Sequence, residues 1–103
     1  MAETQNGRVV PRVEVDWAEL SSRDEFFQSV FRQTGAPDWH GENLDALNDT
    51  WVGGGICTEG PPFIFVLKNE SRSAGCSPHF MTQVREIAQD SVKAHGGKLD
   101  VVP

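Results

Sequence analysis

Four carboxylates lie close together near the middle of the chain, and no lysine or arginine separates them. They are Asp38, Glu42, Asp45 and Asp49, in the segment 37–49 with the sequence PDWHGENLDALND. On a helix, Asp45 and Asp49 would project from the same face and repel each other by about a few tenths of a kcal/mol. This repulsion lowers the stability of the helix, and a local cost of this kind favours a functional surface. A solvated acidic face gives the same pattern.

These carboxylates are poorly arranged for catalysis. Acid–base chemistry needs two carboxyl groups opposed across a cleft with separated pKa values, whereas Asp45 and Asp49 would stand side by side. Cys76 and His79 have a ligand-like spacing, but no second pair accompanies them. The glycines at 53–55 follow a helix and lack the lysine of a phosphate-binding loop, so they predict a helix end. We therefore expect no enzyme, no catalytic residue, no metal and no cofactor.

Composition indicates one small domain with a basic partner. The chain has 103 residues and a net charge of −6, from 15 acidic against 9 basic side chains. This charge disfavours nucleic acid and favours association with a positively charged protein. No apolar run reaches the ~18 residues of a membrane span, and residues 1–7 do not form a signal peptide. A cytoplasmic protein with free thiols at Cys57 and Cys76 is expected, and a disulfide in an exported protein is the alternative.

The helices are predicted from caps and apolar stripes. The first covers 21–33, with Ser22 as its N-cap and Glu25 completing a capping box. The second begins at Asn43 and stops at the glycines, with Leu44, Leu47 and either Trp51 or Val52 facing inward. The last opens at Ser77-Pro78 and ends at Gly96-Gly97, and its predicted apolar stripe is Phe80, Met81, Val84, Ile87, Ala88 and Val92.

Three strands complete the predicted fold. Pro11 cannot donate within a ladder, so we expect a flexible tail over 1–11, a strand at 12–15 and a single domain over 12–103. The apolar run 63–67 predicts a central strand covered on both faces, and 99–102 predicts a final strand. The order of elements favours an α/β fold, a parallel three-stranded sheet packed against three to four helices.

The segment 41–49, GENLDALND, resembles the signature of the barstar family, intracellular inhibitors of secreted bacterial ribonucleases. The resemblance extends more loosely over 12–102. It implies a secreted, guanyl-specific, barnase-like ribonuclease as partner, bound as a 1:1 heterodimer by a monomer, without direct contact to nucleic acid or membrane. It also implies that Asp49 occupies the phosphate pocket of the enzyme, with Asp45 as a second acidic contact and Trp39 packed on a catalytic histidine. The implied ribonuclease-binding residues are Trp39, Gly41, Asn43, Leu44, Asp45, Asn48, Asp49, Val52 and Gly53, with Asp38, His40, Gly54 and Asp90 as further candidates.

The chain departs from the family pattern at several positions. Asn48 stands where the best-known member has tryptophan, and Gly54 stands where that member has an aromatic residue. The loop over 52–62 is longer, and Ser91 aligns with a glutamate of the last helix, with Asp90 beside it. We therefore expect a cognate ribonuclease with a different surface. The alternative is an immunity or interaction protein for a basic partner that is not a ribonuclease.

Overall fold

The computed structural model describes residues 3–5, 8–34, 43–53 and 62–103, with side chains from Pro11 onward. Two short 3₁₀ turns, Trp17–Glu19 and Glu70–Arg72, follow the third and fourth strands. In chain order the strands and helices are β1 (Glu3–Gln5), β2 (Arg8–Val10), β3 (Arg12–Asp16), α1 (Arg23–Thr34), α2 (Leu44–Trp51), β4 (Phe63–Lys68), α3 (Pro78–His95) and β5 (Gly97–Val102).

The main sheet is parallel and has the order β3-β4-β5. Its register pairs Val13 with Phe65 and Phe65 with Leu99, so these three side chains share one face. β4 is the central strand, as its continuous apolar run predicts. The α/β fold class, a three-stranded parallel sheet packed with three helices, is therefore confirmed.

The segment predicted as a tail has two short strands. β1 and β2 pair antiparallel as a separate hairpin, with Thr4 opposite Val9. Pro11 lies between this hairpin and β3, and its carbonyl accepts from the Ile64 amide at 2.9 Å. Proline has no N–H to donate to a strand ladder. Pro11 therefore lies between the β1–β2 hairpin and the main sheet, directly before the start of β3. Flexibility over 1–11 and the boundary at residue 12 stay predictions.

β4 is buried on both faces, but the described helices cover only one. Phe63, Phe65 and Leu67 join the main core with side chains of all three helices. On the opposite face, Ile64 and Val66 form a separate small cluster and are 5% and 6% exposed. The prediction that both faces of β4 are buried is therefore confirmed. The described helices, however, pack on only one of these faces.

An aromatic cluster fixes α1 and α3 over the sheet. Trp17 stacks on Phe26 with ring centroids 5.3 Å apart, and Phe80 meets both rings edge-on. Such offset and edge-to-face pairs stabilise a core by about 0.5–1.5 kcal/mol beyond simple burial. Trp17 is fully buried, which agrees with its interpretation as a core residue.

The helix ends follow the predicted chemistry with one correction. The Ser77 hydroxyl accepts from the Phe80 amide at 3.2 Å, and Pro78 is the first residue of α3. At α1, the Ser22 hydroxyl accepts from the Glu25 amide as expected. However, the Glu25 carboxylate accepts from the amide and hydroxyl of Ser21, at 2.8 and 2.7 Å, so the capping box closes one residue earlier than predicted.

Gly97 marks the closest approach of two strands. Its φ is +89°, and a Cβ there would lie 2.1 Å from the Phe63 carbonyl oxygen. Only glycine fits such a conformation at such a distance. The turn from α3 into β5 can therefore bring β5 directly beside β4. Within the described residues, no helix combines the length and apolar character required to cross a bilayer.

Candidate functional site

α2 begins with a side-chain cap that the sequence predicts. Asn43 has extended backbone angles, φ −148° and ψ 168°, and its side-chain oxygen accepts from the Ala46 amide at 2.8 Å. An asparagine at this position satisfies one of the free N–H groups at the start of a helix. Asn43 thus has a structural role in fixing where α2 starts.

One face of α2 is anchored in the core. Leu47, Thr50 and Trp51 are buried, and the ring of Trp51 lies 4.6 Å from the ring of Phe65 in β4. Trp51, rather than the half-buried Val52, is therefore the inward residue at this end of α2. Because a tryptophan and a leucine hold an eight-residue helix to the central strand, α2 presents its outer face in a fixed orientation.

The outer face of α2 carries two exposed carboxylates, Asp45 and Asp49, with the exposed Asn48 between them. We call these three residues the acidic face. The ion pairs described in the structure involve Glu14 and Glu70, and neither Asp45 nor Asp49 takes part in one. α2 has no basic residue. Nothing within the described residues therefore neutralises the charge that this face presents to solvent.

A contact with α3 fixes the end of α2. The amides of Val52 and Gly53 both donate to the Asn48 carbonyl, at 2.8 and 3.2 Å. The Val52 carbonyl is then contacted by Nε2 of His95 from the end of α3. Because a carbonyl can only accept, Nε2 must be the donor. A Cβ at Gly53 would lie 2.8 Å from the Asp49 carbonyl oxygen, so any residue other than glycine would require the backbone to shift.

The two helices run side by side in the same direction. His95 meets the C-terminal end of α2, whereas Gln83 and Glu86 lie beside Leu44 and Asp45 near its start. Helix C-termini carry a partial negative charge of about half an elementary charge. The C-terminal end of α2 therefore lies within one turn of Asp49, and both favour the approach of a cation, whereas the last turn of α3 carries the basic residues Lys93 and His95.

α3 carries one candidate residue, Asp90, and the position that aligns with the family glutamate. Asp90 is exposed. Ser91, which aligns with the family glutamate, is 0% exposed, and its hydroxyl has no hydrogen-bond partner among the described residues. The buried side of α3 therefore includes Ser91, and its hydroxyl is not accessible from the surface.

The predicted site residues divide into two groups. α2 and its ends bring together Asn43, Leu44, Asp45, Asn48, Asp49, Val52 and Gly53, and Asp90 lies on the adjoining helix. The other predicted residues, Asp38, Trp39, His40, Gly41 and Gly54, lie outside the described residues. His95, which contacts the end of α2, could not be predicted from the sequence, since its only local signal is its position in the last turn of α3.

Cys76, the one cysteine among the described residues, lies in surroundings that lower the reactivity of its thiol. Cys76 is a buried free thiol, and burial raises its pKa above the usual 9.0. A raised pKa keeps the sulfur in its neutral, poorly nucleophilic form. Cys57 lies outside the described residues. No group of three or more His, Cys, Asp or Glu side chains in the described ranges could hold a metal ion.

The fold and this face define a small α/β domain that presents an acidic helix anchored on a parallel sheet. The sequence model of the barstar (barnase inhibitor) family matches residues 10–102, and the chain belongs to this family. Members of the family are inhibitors of barnase-type ribonucleases and are not enzymes. Among curated proteins, none matches the sequence.

Proposed function

We propose that this protein inhibits a guanyl-specific, secreted bacterial ribonuclease by placing the acidic face of α2 in the active site of the enzyme. The observation that supports this proposal is the pair of exposed carboxylates, Asp45 and Asp49, which have no ion-pair partner within 8–34, 43–53 and 62–103. They lie on a helix whose opposite side is buried in the core. Asp49 takes the place of an RNA phosphate, and Asp45 makes a second acidic contact.

The physical basis is competitive occlusion. A ribonuclease arranges cationic groups around the phosphate it binds, so its empty pocket is already organised for an anion. Carboxylate–guanidinium contacts are short and charge-assisted, and they strengthen when water is excluded. Trp39, as implied by the resemblance, supplies an apolar anchor that excludes water around these contacts. The inhibitor acts in the cytoplasm as a monomer and forms a 1:1 complex.

Titration of the protein into a panel of guanyl-specific ribonucleases, with RNA cleavage as readout, tests this proposal. Asp49→Asn keeps the shape of the side chain and removes its charge. The matched control is Asp100→Asn, an equal loss of charge at an exposed position of β5. Inhibition by the unmodified protein should be stoichiometric.

The two variants should differ strongly. For Asp49→Asn the dissociation constant should rise at least about thirty-fold, which corresponds to about 2 kcal/mol. This is the low end for close charged pairs at interfaces, a range measured on the founding pair of this family, barstar with barnase. Asp100→Asn should change the constant less than about threefold. Equal inhibition by both variants would remove Asp49 from the proposed role.

Long-range attraction should also appear in the kinetics. A net charge of −6 accelerates encounter with a basic enzyme, and salt screens this attraction over about 10 Å at 0.1 M. The association rate should therefore fall markedly as salt is raised. If no ribonuclease of the panel is inhibited by the folded protein, this outcome favours the alternative, a basic partner that is not a ribonuclease.

A further inference from the structure

The two edges of the main sheet differ in how their backbone groups are satisfied. At the β3 edge, the Glu14 amide donates to the side-chain oxygen of Gln33 at 2.8 Å, and the side-chain nitrogen of Gln33 donates to the Glu14 carbonyl at 2.9 Å. The Gln33 amide therefore occupies this edge in the way a neighbouring strand would. An edge closed in this way is protected against pairing with another chain.

The β5 edge has no such closure among the described residues. The Val102 carbonyl accepts from the Asn69 amide at 3.1 Å, so Val102 directs its backbone groups towards the end of β4. Because backbone groups alternate in direction along a strand, those of Leu99 and Val101 point away from β4. No hydrogen bond found within the described ranges reaches these outward groups. The N–H and C=O of Leu99 and Val101 are therefore available to another strand.

The side chains of β5 also favour a partner strand. Val101 and Val102 are large apolar side chains that remain 47% and 43% exposed. Lys98 and Asp100 are exposed on the face opposite the helices, since Leu99 between them shares the helix face with Phe65 of β4. A lysine on an edge strand ordinarily opposes pairing with a second strand. Here an acid lies two residues further on, so an antiparallel copy of the same strand can place opposite charges side by side.

We propose that β5 pairs antiparallel with β5 of a second copy of this chain and joins two three-stranded sheets into one sheet of six strands. The two-fold axis passes through Leu99, and the two Leu99 residues exchange their N–H and C=O groups. Lys98 then lies opposite Asp100 of the second copy, and the symmetry repeats this contact. These two residues form a pair without backbone hydrogen bonds, the kind of pair in which side chains approach most closely.

Charge selects this register over its neighbours. An axis at Lys98 would set two lysines opposite each other, and an axis at Asp100 would set two aspartates opposite each other. An axis at Val101 would set Leu99 opposite Pro103, which has no N–H to donate. The axis at Leu99 gives two pairs of opposite charge and keeps all the outward donors.

This dimer is distinct from the proposed inhibitory complex. The paired edge contains no residue of the acidic face. A contact between two six-residue strands is smaller than the ~1,200 Å² buried in stable complexes, so the dimer is weak and forms only at high protein concentration. At the low concentrations of an inhibition assay the chain is a monomer, and its 1:1 complex with a ribonuclease does not depend on β5.

Sedimentation equilibrium of the full chain, from micromolar to millimolar concentration, measures the dissociation constant of the dimer. Asp100→Lys and Lys98→Asp each set like charges opposite each other, and each should raise this constant at least about tenfold. An equimolar mixture of the two variants should associate again, because each chain then supplies the charges that the other needs. The matched control is Glu86→Lys, the same change of charge at an exposed position of α3, which should alter the constant less than about threefold.

A second variant tests the backbone hydrogen bonds. Val101→Pro removes an N–H that points away from β4, so the folded chain loses no hydrogen bond while the dimer loses one from each copy. Its dissociation constant should also rise at least about tenfold. In hydrogen exchange followed by NMR, the Leu99 amide should become protected as the concentration of the unmodified protein rises, whereas protection of the Asp100 amide should not change.

The outcomes separate this proposal from the proposed function. A monomer throughout the concentration range would overturn the pairing of β5, and so would a dimer that neither Asp100→Lys nor Val101→Pro weakens. Positions 98 and 100 are exposed, so the charge variants should fold even if the proline variant does not. A mixture of Lys98→Asp and Asp100→Lys that stays monomeric would overturn the register. Inhibition of a ribonuclease is measured separately, and none of these results changes its interpretation.

Discussion

Replacement of Ser91 by alanine should make the protein more stable. Ser91 lies on the buried side of α3 with an exposure of 0%, and its hydroxyl has no partner among the described residues. A buried polar group without a hydrogen bond costs roughly 1–3 kcal/mol. Ser91→Ala removes this group and changes nothing else in the side chain.

The expected gain follows from three contributions. Loss of the unpaired hydroxyl stabilises the fold by roughly 1–3 kcal/mol. Alanine is the better helix former by about 0.5 kcal/mol. Against these stands a void of roughly 15–20 Å³, which costs about 0.4 kcal/mol. The net effect should be a stabilisation of about 1–3 kcal/mol, or a rise in Tm of roughly 4–24 °C for a domain of this size.

Urea unfolding followed by circular dichroism measures this difference. The midpoint should rise with an unchanged slope, because the surface exposed on unfolding is the same. Gln89→Ala, at an exposed position of the same helix, isolates the contribution of helix propensity and should change stability by less than about 0.5 kcal/mol. A destabilised Ser91→Ala would refute the reasoning, since it would mean that the hydroxyl makes a stabilising hydrogen bond.

The opposite replacement connects this position to the proposed function. Ser91→Glu introduces the acid that the family pattern has here, but at this burial it should cost more than about 3 kcal/mol. An unchanged stability would mean that this side of α3 faces solvent. In that case the side chain at position 91 would be accessible to a partner protein.

Three further predictions concern other parts of the fold. His95→Ala should speed hydrogen exchange of the Val52 amide without changing exchange in β4, because it removes a donor at the end of α2 only; equal acceleration in β4 would indicate a global effect. Cys76 should react with iodoacetamide at pH 8 far more slowly in the folded protein than in urea, since burial raises its pKa; equal rates would contradict its burial. Hydrogen bonds from Ser21 lower the pKa of Glu25 below 4.5, so its contribution to stability is present above about pH 4.5 and is lost as pH falls through the lowered pKa. Glu25→Gln should therefore lessen the loss of stability between about pH 6 and about pH 3 in urea unfolding, and an unchanged pH dependence would contradict this.

The sequence predicts those features that depend on local chemistry. The caps at Asn43 and Ser77 follow from side chains that bond within three residues, and both are confirmed. The central strand follows from an apolar run that only a buried position tolerates. Asp45 and Asp49 are correctly placed on one exposed face, because helical spacing alone fixes their relation.

Features that depend on the packing of distant segments could not be predicted. The contact of His95 with Val52 and the position of Glu86 beside Asp45 arise because α2 and α3 lie side by side, a relation that neither helix encodes by itself. Ser91 has a polar side chain within an apolar stripe, and its polarity hid the fact that it faces the core. Tertiary burial overrides residue type at such a position.

The parallel order of the sheet determines when, during synthesis, the acidic face can exist. α2 has eight residues, fewer than the ~12–15 that a free helix needs in water. Its anchor, Phe65, and its fastening residue, His95, are both translated after it. A ribosome adds about 5–20 residues per second, so the stretch from the end of α2 to the end of α3, roughly 45 residues, takes several seconds to appear. Under the proposed function, inhibition should therefore begin abruptly, once α3 has been made and packs beside α2. A nascent chain ending before α3 should bind no better than an unstructured peptide.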